Sequence, residues 1–258
     1  MVITSKDNNL IKEIKKLKEK KYRKEKFIVE GIKIVKEAID ENASIDLIVI
    51  SESFDENIEK IDKYKKIVVT DKIFKELSDV CMPQGILAVI NKNINKEIDF
   101  NSEYIMFLDG LQDPGNIGTI IRTLDSANIK QLLVTKDTVD AYSPKVVRST
   151  MGAIFRVNII EVGDYLKTFK ELKENGFEIV TTSLDAKNSI YDISYNKKVV
   201  IIGNEANGVR KEVKDNSDYL VKIPMLGKTE SLNASVAASI MIYEYIREKL
   251  KWDYWYKE

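Results

Sequence analysis

Three short stretches of this chain gather side chains that can handle an oxygen-rich ligand. In the first, DGLQDPGNIG from Asp109 to Gly118, Asn116 lies at the start of a helix and Arg122 follows about a turn and a half later. That spacing can put an amide and a fixed cation near one oxygen-bearing ligand. The second, GNEANG from Gly203 to Gly208, offers the carboxylate of Glu205 in a turn whose glycines and asparagines permit positive φ. The third supplies Ser231 and Asn233 just ahead of an alanine- and serine-rich helix. A helix cap and a surface ion pair would explain Asn116 and Arg122 equally well, as a plain turn would Glu205. The chain has no histidine and one cysteine, Cys81, which removes Ser-His and Cys-His nucleophiles and nearly all catalytic zinc sites. Its chemistry must use carboxylates, hydroxyls, amides, arginine or lysine, and no metal is expected.

The elements that position these residues are strands ending in loops. Tyr104 to Leu108 is an apolar strand before the first loop, with a helix expected from Thr119 to Ala127. Lys198 to Ile202 reads as a buried strand before the second, and a strand ending in Ile223-Pro224-Met225 precedes the third. Ser231 and Asn233 can cap the last helix, whose free N–H groups and positive dipole end favour oxygen ligands. Behind them Ala234, Ser235, Ala237, Ala238 and Ser239 form a slim face suited to a ligand crevice or a contact between subunits; a well-capped core helix is the alternative. Further strands are expected at Gln131 to Val134 and Phe177 to Thr181, the latter running into Thr182, Ser183 and Leu184 at the usual ligand-facing edge of a parallel sheet. Between them Ser143 to Met151 reads as a helix carrying Lys145 and Arg148. Two motifs fail on spacing. Gly227-Lys228-Thr229 lacks the earlier glycine of a phosphate-binding loop, that position being Lys222, and glycines 110, 115 and 118 do not form G-x-G-x-x-G.

The N-terminal part has a different character. Asn9 to Lys26 is expected to be one helix, dominated by Lys and Glu, and between Lys6 and Lys36 twelve basic side chains face five acidic ones. The whole chain hides this imbalance, with 41 of each sign. Such a local field attracts phosphate backbones, although a solvated lysine-rich face would look the same. Strand-like runs at Phe27 to Gly31, Ile45 to Ile50, Lys66 to Val69 and Ile86 to Ile90 alternate with helical patterns, so a small α/β domain is expected. The polar stretch Asn91 to Ser102 reads as a linker. The domains are therefore placed at 1–94 and 103–258, joined by 95–102. The N-terminus lacks a signal-peptide core and no apolar run reaches a membrane span; with the single cysteine this points to a cytoplasmic protein.

FLDGLQDPGNIGTIIRT, VVIIGNEANGV and KIPMLGKTESLNASVAASIMIYE resemble, in order and spacing, the three motifs of the SpoU/TrmH branch of the SPOUT RNA methyltransferases, over roughly residues 104 to 245. ITSKDNNLIKEIKKL, the strand at Phe27 to Gly31 and Met82-Pro83-Gln84-Gly85-Ile86 are similar to the ribosomal-protein-like RNA-binding domain that precedes it in many members. The resemblance implies an α/β catalytic domain with a deep trefoil knot behind a small α/β RNA-binding domain, working as a homodimer. It implies S-adenosylmethionine as cofactor, held by main-chain groups matching Gly203, Ile223 and Leu232, with Thr182, Ser183, Leu184, Asn204, Gly208, Met225 and Ser231 completing that site. The implied reaction is methylation of a ribose 2′-hydroxyl of RNA, most simply 23S ribosomal RNA, with transfer RNA or a silent RNA-binding protein as alternatives. Arg122 matches the catalytic arginine; Asn116, Glu205, Ser231 and Asn233 match the polar residues that orient it and the ribose. Lys12, Lys15, Lys16, Arg23, Lys145 and Arg148 are expected to meet RNA. The aromatic tail from Lys251 to Glu258 is expected to pack against the dimer helix.

Overall fold

The computed structural model describes residues 2–93 and 96–255, with the side chains from 251 onward excepted. Part of the expected linker, residues 94 and 95, and the side-chain packing of the tail lie outside the described residues. Two compact units are present: residues 1–95 with 140–156, and residues 96–139 with 157–258.

The first unit is built from β1 (Val2–Ile3), α1 (Asn9–Lys16), β2 (Lys26–Glu30), α2 (Ile32–Asp40), β3 (Ile45–Ser51), β4 (Lys66–Val69), α3 (Asp71–Leu77) and β5 (Ile86–Asn91). The strands form one sheet in the order β1-β4-β3-β5-β2, antiparallel only where β5 meets its two neighbours. Side chains alternate across a pleated strand, so Leu47, Val49, Leu87 and Val89 share one face, where they join Ile11 and Ile14 of α1 and Ile73, Phe74 and Leu77 of α3 in a buried core. The expected helix over Asn9 to Lys26 is cut short. Beyond Leu17 the sequence offers no apolar residue to bury until Tyr22, and Arg23 folds back instead, its Nη1 donating to the carbonyls of Leu17 (2.9 Å) and Lys18 (2.5 Å).

In the second unit β6 (Tyr104–Asp109), α4 (Pro114–Ser126) and β7 (Gln131–Thr135) come first; then α5 (Pro144–Ser149), which packs in the first unit; then β8 (Asn158–Val162), α6 (Tyr165–Glu174), β9 (Glu178–Thr182), β10 (Asn188–Ser189), β11 (Lys198–Gly203), α7 (Lys211–Asp215), β12 (Tyr219–Lys222) and α8 (Ala234–Trp255). The seven strands are all parallel, in the order β10-β12-β9-β11-β6-β7-β8. Such a sheet is covered on both faces, which is why β6, β7 and β11 are buried throughout. Ile105, Phe107, Leu133, Ile179, Val199 and Ile201 face α6. On the other side the ring of Tyr104 stacks on Tyr245 of α8 at 4.8 Å, and α8 packs against α4 and β11. No helix among the described residues is long and apolar enough to cross a membrane.

The sequence assigned residues 140–156 to the second domain, and by packing they belong to the first unit. Arg23 Nε meets the Asp140 carboxylate at 2.7 Å, the rings of Phe27 and Tyr142 are 4.9 Å apart, and Arg156 pairs with Glu37 and Glu41 at 2.7 and 3.0 Å. Each partner is separated by more than a hundred residues, so no local pattern announces these bonds. On the slim face of α8, Ala234, Ser235 and Ala238 are buried and Ala237 and Ser239 half-buried, with Ala234 and Ala237 lining a cleft, while Val236 and Tyr243 are exposed.

Candidate active site

Strands β6, β9, β11 and β12 run parallel, so the loops that follow them emerge at one edge of the sheet. The loop after β6 starts at Gly110, whose φ of +72° suits glycine. Asp113 then accepts the Asn116 N–H at 2.9 Å and caps α4, with Pro114 in the first turn. The helix thus begins five residues before the expected Thr119; Asp113-Pro114 was the signal that marked it. After β11, Gly203 is needed for a reason other than positive φ. A Cβ there would sit 2.2 Å from the Gly208 carbonyl carbon and 2.3 Å from the Val209 nitrogen, because the loop doubles back onto its own start. Asn204 and Gly208 exchange main-chain hydrogen bonds of 3.0 and 2.9 Å, and the Asn204 amide donates to the Gly110 carbonyl at 2.8 Å.

The polar side chains form a chain of hydrogen bonds with one possible direction. At the start of α8 the Asn233 Oδ1 accepts from the Ser235 N–H and hydroxyl at 2.9 and 2.7 Å. Its Nδ2 must therefore point outward, donating to the Asn116 Oδ1 at 2.9 Å; the Asn116 Nδ2 then donates to the Glu205 Oε1 at 2.9 Å. The Glu205 carboxylate also accepts the Gln112 and Asp113 N–H groups, both at 3.2 Å. Partial burial pushes its pKa up, but these donors outweigh that and hold it below the usual carboxylate value.

A second carboxylate at the same edge behaves oppositely. The Asp109 side chain is fully buried; its Oδ2 accepts the Arg210 N–H at 2.9 Å, and its Oδ1 lies 2.7 Å from the Arg210 Nη2. That last contact is a close ion pair without a well-aligned hydrogen bond. Burial raises the Asp109 pKa, and Arg210 only partly offsets it. Arg210 also reaches Asp137 at 2.8 Å and lies 5.3 Å from the Tyr165 ring centre, tying the ends of β6 and of the Gly203 loop together. Sequence reasoning missed Asp109, Asp137 and Arg210, since nothing local links Arg210 to partners 101 and 73 residues away.

Around this edge runs a cleft of about 600 Å³, within the size range of small-molecule sites. All ten residues expected to hold the cofactor, Thr182, Ser183, Leu184, Gly203, Asn204, Gly208, Ile223, Met225, Ser231 and Leu232, line it, together with Glu205 and Asn233. The residues fit an adenosyl ligand held by main chain. The Ser183 hydroxyl is buried in the wall without a partner, and Gly203 leaves room for only a bare backbone. Arg122 is not brought to the cleft: six residues after Asn116 it points about 120° around the helix from it, is exposed, and forms no ion pair among the described residues.

Of the residues expected to meet RNA, all in the first unit, Lys12, Lys15, Lys16 and Lys145 are exposed and Arg148 is half-buried. Arg23 departs from the expectation. It is 6% exposed and bonded to Leu17, Lys18 and Asp140, so it holds the turn and is closed to RNA.

Residues 103–243 match the model of the SpoU rRNA Methylase family. The chain belongs to that family. Residues 8–88 of this SpoU methylase match the MRM3-like substrate binding domain, which covers most of the first unit. A Staphylococcus epidermidis protein assigned to the TrmH family of tRNA/rRNA methyltransferases is 32% identical, over 87% of this chain and 97% of its own length. Among solved structures, an AdoMet-bound rRNA methyltransferase from Sinorhizobium meliloti is 27% identical with a TM-score of 0.83, covering 96% of this SpoU methylase and 97% of that chain. An RNA 2′-O ribose methyltransferase is 26% identical with a TM-score of 0.79, covering 97% and 100%. The sheet and its N-terminal companion are thus the α/β fold of SpoU/TrmH enzymes.

Proposed function

We propose that this SpoU methylase transfers the methyl group of S-adenosylmethionine to a ribose 2′-hydroxyl of ribosomal RNA. The directional chain Asn233–Asn116–Glu205 beside a cleft with an unsatisfied buried hydroxyl carries this reading. When bound, S-adenosylmethionine supplies an electrophilic sulfonium methyl. Ser183 and the main chain at Gly203, Ile223 and Leu232 hold the donor side. Glu205, kept ionised by the Asn116 amide and the Gln112 and Asp113 N–H groups, fixes the loop after β6 and takes no proton. Asn116, with both amide ends committed, braces that loop.

A sugar hydroxyl is a weak nucleophile at neutral pH and must be oriented and eased toward deprotonation. A guanidinium stays protonated in proteins, so Arg122 clamps the phosphate beside the acceptor ribose and lowers the hydroxyl pKa through charge, the proton leaving to phosphate or water. Because Arg122 lies outside the cleft of its own chain, it serves the cleft of a second copy in a homodimer, with exposed Val236 and Tyr243 of α8 in the interface. Ribosomal RNA is favoured over transfer RNA because the substrate-binding match precedes the catalytic domain. The test is methyl-labelled S-adenosylmethionine with purified ribosomal and transfer RNA, followed by mapping of 2′-O-methyl sites. Label on a base, or in transfer RNA alone, would overturn the assignment; no label in either would refute the enzyme.

A further inference from the structure

The structure sorts the basic residues of the first unit into committed and open cations. Lys12, Lys15, Lys18, Lys21, Arg23 and Lys26 all sit in ion pairs with carboxylates. Among the described residues Lys16, Lys20 and Lys24 form none, as Lys6, Lys33 and Lys36 on either side of this stretch also do not, and Lys16, Lys20 and Lys24 are exposed. These three lie within six residues of Tyr22 along the chain, and Tyr22 is 42% exposed despite its size. The ammonium of Lys21, itself paired with Glu19, lies 4.8 Å from the Tyr22 ring centre and that of Lys16 lies 5.7 Å from it, while Lys20 and Lys24 stand two residues away in sequence on either side. Tyr22 is mounted rigidly, because it closes a short 3₁₀ turn, Lys20–Tyr22, and the next residue is the buried Arg23 that rivets this turn to α1 and to Asp140. A recess elsewhere in the same unit has the wrong charge for a phosphate chain: Asp55, Glu56 and Asp71 line it against Lys75.

We propose that Tyr22 with Lys16, Lys20 and Lys24 is a stacking platform for an unpaired nucleotide of the RNA substrate. The ring takes the face of one base, and the ammonium groups take the phosphates on either side. Only an unpaired base has a face to offer, so the platform selects single-stranded RNA over duplex. This rests on the RNA methyltransferase reading and adds where and how the RNA is gripped.

The test is fluorescence anisotropy of the full chain with a labelled 12-nucleotide single-stranded RNA and a 12-base-pair RNA duplex, over a range of salt. Wild type is expected to prefer the single strand. Tyr22→Ala should weaken single-strand binding about tenfold and leave the duplex unchanged, the scale of one lost base stack, while Tyr22→Phe keeps the affinity. The triple variant Lys16→Gln, Lys20→Gln, Lys24→Gln should flatten the salt dependence on single strands by about two in log–log slope. Unchanged melting temperatures establish that the variants are folded. Equal single-strand binding by wild type and Tyr22→Ala, or equal losses on both RNAs, would overturn the platform. Methyl transfer and S-adenosylmethionine binding, measured on the same preparations, separate the two readings: intact methyl transfer with an inert Tyr22 removes the platform alone, and absent cofactor binding removes the enzyme alone.

Discussion

The cleft edge of the second unit and the lysine-rich turn of the first both carry polar groups, and they use them in opposite ways. At the cleft edge the side-chain amides and carboxylates are bonded to one another. Asn233, Asn116 and Glu205 form a closed sequence of donors and acceptors, and Asp109 and Arg210 form another. In the turn, the buried Arg23 holds the backbone, and Lys20 and Lys24 beside it form no ion pair among the described residues, although Lys18 and Lys21 do. Saturated groups hold a geometry that exists before ligand arrives; open cations await a polyanion. Arg122 is the exception that joins the two classes, an open cation on the very helix that carries the saturated Asn116.

That contrast breaks first at Arg122. Arg122→Ala should lower methyl transfer by at least about a hundredfold, the scale of a group that acts mainly in the transition state, while S-adenosylmethionine binding by calorimetry stays within a factor of two. Parallel loss of cofactor binding would place it among the saturated groups instead. Gly203→Ala comes next. With backbone 2.2 Å from the new Cβ, the loop must open, costing about 1–3 kcal/mol as overpacking does and lowering the melting temperature by several degrees, with loss of cofactor binding.

Asn233→Asp tests the direction of the hydrogen-bond chain. Aspartate caps the helix as well as asparagine but cannot donate to Asn116, whose Oδ1 is then left facing a second acceptor. That should cost ~1–3 kcal/mol, read as a melting temperature lower by several degrees, with turnover reduced as the loop after β6 loosens; unchanged melting and full activity would show that the polarity is irrelevant.

The smallest effect is on pH. Glu205 has its folded pKa below the unfolded value, so it contributes stability above the unfolded pKa that is lost as pH falls through the folded one. Asp109 is raised, so the native state binds the extra proton and stability falls as pH rises from its unfolded toward its folded pKa. Asp109→Asn should remove the second slope and Glu205→Gln the first, as read from denaturation midpoints between about pH 3 and 6.

Much of this was legible in the chain itself. Continuous apolar runs foretold the buried parallel strands, and the expected cleft residues came from the three loop motifs together with Thr182, Ser183 and Leu184 at the end of β9. The interrupted helix after Leu17 was harder to see, since lysine and glutamate favour helix whether or not a face is buried. Arg23 looked like its exposed neighbours, and its partner Asp140 lies far along the chain.

The sequence by itself determined which loops exist and which side chains they carry, because strand periodicity and turn residues act over a few positions. Only the tertiary structure decided which of those side chains are spent on each other and which stay open: that Gly203 is glycine for lack of space, that Asn116 turns inward while Arg122 turns out, and that residues 140–156 pack with the first unit. The first depends on how a six-residue loop closes on itself, the others on atoms meeting across distant stretches of chain or on helix phase once packing has chosen the inner face, and pairwise distance is not written in residue order.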